Sequence, residues 1–117
     1  MCVAAVVQKG QLCHKTDYFL LVMSRRDSFA DDPLTNHLKQ ALVAADRALT
    51  CVWLTLTSDS VAELAAGAGF DCVLIDGEHS PSDIDTVKRQ LMAAQCAGSP
   101  VVVRTPVNET WMIKRFM

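Results

Sequence analysis

Positive charge is in short supply in this sequence. Eleven Lys and Arg residues face 13 Asp and Glu, leaving a net charge of −2 and no basic patch or stripe, which excludes the electrostatic footprint of a nucleic-acid binder. Long apolar runs are missing as well. Met1 to Val7 and Tyr18 to Met23 are far short of the ~20 residues that a membrane helix needs. No basic residue precedes the Met1–Val7 run, so no signal peptide is expected. The five cysteines include no Cys-x-x-Cys pair. That usage fits reduced, packed thiols in a cytoplasmic protein better than a disulfide framework. No Gly-x-Gly-x-x-Gly follows a strand and no phosphate loop occurs, which argues against nucleotide binding. What remains is a chain of 117 residues, half of them hydrophobic, enough for one domain with a modest core.

The most informative stretch is Cys72-Val73-Leu74-Ile75-Asp76-Gly77-Glu78-His79. Four apolar residues in a row predict a strand buried on both faces, as in a parallel sheet. The run stops at Asp76, Gly77 supplies a turn, and two carboxylates and an imidazole lie within four positions. Ser80-Pro81 then predicts a helix start, a cap followed by Pro at the first helical position. Core packing explains Val73, Leu74 and Ile75. It does not explain Asp-Gly-Glu-His, which stands where α/β folds keep their chemistry.

The rest of the chain repeats this rhythm. Residues 1–31 show no matching pattern and read as an appendage, flexible or loosely docked, outside a domain that spans residues 32–117. Asp32-Pro33 predicts a helix whose apolar face is Leu34, Leu38, Ala41, Leu42 and Ala45. Thr50 to Leu56 is rich in β-branched residues and predicts a strand. Ser60 and Glu63 have capping-box spacing for a second helix, which Gly67 and Gly69 end. After Pro81, Ile84, Val87, Leu91 and Ala94 recur at helical spacing. Val101-Val102-Val103 predicts a third strand that ends at Arg104, and Asn108 predicts the cap of a last helix. Strand and helix in alternation specify a parallel sheet with helices packed on it. All strand C-terminal ends then share one rim, where Thr57, Ser58, Asp76, Glu78, His79, Arg104 and Thr105 collect. A guanidinium, an imidazole and two carboxylates there suit a small anionic substrate such as an oxoacid.

Four blocks carry a family resemblance: Val52-Trp53-Leu54-Thr55-Leu56, Ala62 to Asp71, Leu74-Ile75-Asp76-Gly77-Glu78-His79 and Pro100-Val101-Val102-Val103-Arg104. Together they resemble the HpcH/HpaI aldolase family, from about Leu38 onward. The resemblance implies an α/β fold that is the N-terminal part, about three βα units, of a (β/α)8 TIM barrel. It implies metal-dependent, class II aldol chemistry on pyruvate-derived 2-oxo acids, with Mg2+ or Mn2+ as the cation and a homo-oligomeric complete enzyme. His79 matches the general base and Arg104 the group that steadies the enolate. Asp76 and Glu78 match carboxylates near the cation's water shell, and the family's direct metal ligands are expected beyond Met117. Thr105 departs from the family's habit of placing Pro directly after the arginine. A full barrel takes about 250 residues, so three strands alone would leave two bare edges. The alternative reading is a non-catalytic α/β module, kept as a binding or oligomerisation partner.

Overall fold

A computed structural model describes residues 3–7, 20–23 and 36–117. In chain order the elements are β1 (Val3–Val7), β2 (Leu20–Met23), α1 (His37–Ala44), β3 (Leu49–Leu54), α2 (Asp59–Gly67), β4 (Cys72–Asp76), α3 (Ile84–Cys96), β5 (Val101–Arg104) and α4 (Thr110–Phe116). They build one five-stranded sheet in the order β1-β3-β4-β5-β2. The central three strands are parallel, with Leu54 opposite Ile75 and Asp76 opposite Arg104. These are the three strands and the alternation that the apolar runs predict.

The flanking strands have no counterpart in the sequence pattern. β1 pairs antiparallel with β3, and β2 pairs antiparallel with β5. Both fall within residues 1–31, and β2 occupies the end of the Tyr18–Met23 run. Among the described residues, neither edge of the parallel trio is bare. Backbone N–H and C=O groups at a strand edge demand partners, and these two short segments meet that demand.

Side-chain direction alternates along each strand, and the two faces are covered differently. Val52, Leu54, Val73, Ile75, Val101 and Val103 point toward α2, α3 and α4 and pack on Ala62, Ala66, Val87, Leu91, Ala94 and Phe116. Val73, Ile75, Val101 and Val103 are fully buried. Each such side chain contributes about 1.5–3 kcal/mol relative to exposure. On the opposite face, Leu38 of α1 packs on Leu49, Cys51, Cys72 and Val102, with Leu42, Ala45 and Leu74 beside them. Leu49, Cys51 and Cys72 are early strand residues. With Val102 and Leu74 they make the α1-packed part of this face, and Asp76 and Arg104 follow at its C-terminal end.

An ionic brace closes the N-terminal end. Arg47, between α1 and β3, grips both oxygens of Asp71, and the same carboxylate accepts from the Thr50 N–H at 2.7 Å. The Arg47 guanidinium, followed by the Thr50 N–H, holds the Asp71 carboxyl far below the ordinary carboxylate range despite its partial burial.

The starts of α2, α3 and α4 differ from the sequence reading. Asp32 and Pro33 lie outside the described residues, and α1 begins at His37, capped by Asn36, whose side chain accepts from the Lys39 N–H at 2.9 Å. Ser58, not Ser60, caps α2. Asp83, not Ser80, caps α3, its carboxylate accepting from the Thr86 N–H at 2.8 Å. Glu109 holds the cap position of α4 without a side-chain bond, and Asn108 does not cap.

Candidate active site

β4 delivers Asp76 as its last residue, and β5 delivers Arg104 at the same register level. Parity puts both on the face of Cys72, Leu74 and Val102, against which α1 packs. Asp76 is 2 % exposed and both of its oxygens are engaged. One accepts the backbone N–H groups of Glu78 (2.9 Å) and His79 (3.0 Å), folding the chain into a tight turn. The other accepts the Trp53 indole N–H at 3.0 Å and lies 3.8 Å from the Arg104 guanidinium. Burial is the strongest single influence on this carboxyl and opposes its charge. The N–H groups of His79 and Glu78, the Trp53 indole and Arg104 together outweigh it and hold the group below its ordinary range. Asp76 is therefore an anion at neutral pH, and its main work is to shape the turn that carries Glu78 and His79.

Gly77 makes this turn possible. Its N–H donates to the Arg104 carbonyl at 2.9 Å. A Cβ built at this position would stand 2.8 Å from the same carbonyl oxygen. Only a residue without a side chain lets the end of β4 lie this close to the end of β5. Ser80 completes the loop: its hydroxyl donates to the Asp76 carbonyl and lies 2.7 Å from the Ser82 hydroxyl. That bond, together with the Asp83 cap, keeps Ser80-Pro81 in the loop and out of the helix.

Glu78 is the hub. Its Oε2 ion-pairs with Arg104 Nη2 and lies 3.7 Å from His79 Nε2. The Glu78 and Arg104 side chains are largely buried, whereas that of His79 is 64 % exposed. The imidazole is thus open to a substrate while the groups behind it are fixed. All four residues singled out from the sequence, Asp76, Glu78, His79 and Arg104, meet at the C-terminal ends of the parallel strands. Of the other rim residues, Ser58 is used as a helix cap and Thr105 is buried.

Sequence reasoning missed two residues. Trp53, read as a strand residue, lies beneath Arg104, whose guanidinium carbon is 5.6 Å from the ring centroid. The available signal was its parity with Cys51, which puts it on the face of Asp76. Gln90, fully buried on α3, donates through its side-chain amide to the Leu56 carbonyl and ties α3 to the loop after β3. Its signal was its place between Val87 and Leu91 on an apolar face.

Two carboxylates face one guanidinium, so with a neutral imidazole the cluster carries an excess negative charge. A substrate carboxylate would be repelled there without a cation. Yet Asp76 is committed to N–H donors and to Arg104, and Glu78 Oε2 to Arg104. Among the described residues no group of three or more His, Cys, Asp or Glu side chains is arranged to hold a metal ion.

Comparison with known proteins gives the same region a context. The family model described as HpcH/HpaI aldolase/citrate lyase matches residues 49–117. A hydroxypyruvate/pyruvate aldolase of Deinococcus radiodurans is 45% identical over 86 residues, covering 74% of this chain and 31% of the relative. A 5-keto-4-deoxy-D-glucarate aldolase of an Enterobacter species is 42% identical over 88 residues, covering 75% of this chain and 34% of that one. Among solved structures, an HpcH/HpaI aldolase/citrate lyase family protein from Burkholderia cenocepacia superimposes with a TM-score of 0.63 at 47% identity, covering 69% of this chain and 32% of the other. The chain spans about a third of the length of the curated relatives it matches.

Proposed function

The chain belongs to the HpcH/HpaI aldolase/citrate lyase family, and from that premise we propose that Asp76, Glu78, His79 and Arg104 are the acid–base and oxyanion-stabilising part of a carbon–carbon lyase site for 2-oxo acids. The observation that carries the proposal is the shared Glu78 oxygen, which joins an exposed imidazole to a buried guanidinium on the rim of the parallel strands. In retro-aldol cleavage, His79 Nε2 takes the proton of the substrate hydroxyl. The carbon–carbon bond breaks, an aldehyde leaves, and the bonding pair passes to the oxoacid as its enolate. Arg104, a fixed positive charge, stabilises the oxygen where that negative charge collects. Proton return to the enolate carbon yields pyruvate or a related oxoacid. Glu78 Oε2 stands 3.7 Å from His79 Nε2, and Asp76 holds the turn that aims His79.

A divalent cation, Mg2+ or Mn2+, is part of this proposal. The excess negative charge of the cluster suits a neighbouring cation, with Asp76 and Glu78 near its water shell and its direct ligands supplied outside these 117 residues. When bound, the cation would hold the oxoacid and offset enolate charge. Residues 1–31 are proposed to lie outside the aldolase unit that begins at residue 32. The complete enzyme is proposed to be a cytoplasmic homo-oligomer.

The test is a chimera in which residues 49–117 replace the matching segment of the Deinococcus radiodurans aldolase. Metal-dependent pyruvate release is expected to survive in the chimera and to fall about 10²–10⁴-fold on His79→Ala, the usual worth of a general base. An undiminished rate in His79→Ala would refute the assignment. The 117-residue chain alone is expected to give no sustained pyruvate release. A second reading is a non-catalytic module that docks on a full-length aldolase. Light scattering of the chain with and without such an aldolase separates the two.

A further inference from the structure

We infer that Trp53 is a positioning residue of this site: its indole sets the tilt of the Arg104 guanidinium and, through its N–H, the place of the Asp76 carboxylate. A planar cation has in-plane edges and two faces, and each must be fixed by a different kind of contact. Glu78 and Asp76 approach Arg104 through its Nη atoms, at the edge of the group. The Asp76 contact, at 3.8 Å, is too long to be a hydrogen bond. The Trp53 ring, 5.6 Å from the guanidinium carbon, lies within the distance at which an aromatic face attracts a cation. It supplies a contact to the face of the group.

The same side chain acts a second time. Its N–H donates to the Asp76 oxygen that faces Arg104. One indole therefore fixes a cation and its counter-ion relative to each other. Trp combines these tasks, whereas Phe keeps the face without the donor and Leu has neither. The position supports the role: Trp53 is opposite Leu74 in the register, one step along the sheet face from the level of Asp76 and Arg104. The importance of this placement for turnover rests on the aldolase reading, but the placement itself can be measured without turnover.

The experiment is NMR on the isotopically labelled full chain, comparing the natural protein with Trp53→Phe and Trp53→Leu. In the natural chain, the Arg104 Nε–H signal is expected to be displaced upfield by the ring current. Trp53→Phe should keep most of that displacement. Trp53→Leu should lose it while the backbone amides of β3 to β5 keep their positions. In both variants the titration midpoint of the Asp76 carboxyl should rise, because a donor to its charged form has gone. An unchanged Arg104 signal in Trp53→Leu would overturn the inference. So would an unmoved Asp76 midpoint in Trp53→Phe, and that second measurement decides the matter if Trp53→Leu fails to fold. Loss of pyruvate release in the chimera described above would sink the aldolase reading and leave these signals as they are.

Discussion

Replacing Gly77 by Ala tests how closely the two site-bearing strands must approach. The added Cβ would stand 2.8 Å from the Arg104 carbonyl oxygen, with Pro106 Cδ at 3.8 Å. Contacts at 3.4 Å and beyond are ordinary, and those under 3.0 Å force a shift. The obstructing atom is backbone in a buried strand, so it cannot swing away as a side-chain tip could. The ends of β4 and β5 must separate by roughly half an ångström, at the usual overpacking cost of about 1–3 kcal/mol. The Gly77 N–H bond to the same carbonyl lengthens with them, adding about 0.5–1.5 kcal/mol. A total of about 1.5–4.5 kcal/mol should lower the melting temperature by on the order of 6–18 °C in a domain of this size. Thermal and urea unfolding measure it. Gly67→Ala is the control: a Cβ there meets nothing within 4 Å, and the change should stabilise α2 slightly. If Gly77→Ala melts within about 2 °C of the natural chain, a shift smaller than 1 kcal/mol would produce, the close approach of the strands is not what the glycine is for.

Two other perturbations probe the charges at opposite ends of the sheet. Asp71→Asn removes the anion from the Arg47–Thr50 brace and should cost about 1–3 kcal/mol, a range kept low because Arg47 is well exposed. Because the folded-state pKa of Asp71 is depressed, its contribution is complete above the unfolded value near pH 4. It fades as pH falls from there toward the folded value. The natural chain and Asp71→Asn should therefore converge in stability as pH falls below about 4, as urea midpoints would show; a gap that widens with acid contradicts the brace. Arg104→Met leaves the buried Asp76 and Glu78 carboxylates facing each other without a cation. The loss should be about 3–5 kcal/mol at neutral pH, read by urea unfolding, and a loss below about 1 kcal/mol would mean that the guanidinium is dispensable to the fold.

The central strands were legible because a continuous apolar run such as Val73-Leu74-Ile75 or Val101-Val102-Val103, too short for a helix and bounded by turn residues, is stable only when both faces of a strand are buried. Asp76, Glu78, His79 and Arg104 were legible for a related reason: polar groups at the ends of such runs must reach the same rim once the strands are parallel. Helix caps were not. Ser80, Ser82 and Asp83 are all competent caps by type, and the choice of Asp83 depends on Ser80 being drawn to the Asp76 carbonyl, a contact with a strand end rather than with the helix. Trp53 stayed hidden because a tryptophan in a strand ordinarily means core. Its role depends on the carboxylate and the guanidinium that β4 and β5 bring beside it, and no local pattern encodes that. The β1 and β2 pairings were equally out of reach, since a short strand's partner is decided by which edge remains unfilled.

Those two pairings constrain what this polypeptide can join. A parallel trio grows only through the hydrogen-bonding rims of its two outer members, here the outer rims of β3 and β5. Both rims already hold a guest that runs the opposite way. Any strand that is to pair directly with β3 or β5, from this polypeptide or another, must first evict Val3–Val7 or Leu20–Met23, so extension of the parallel trio itself is an exchange of strands and not a simple addition.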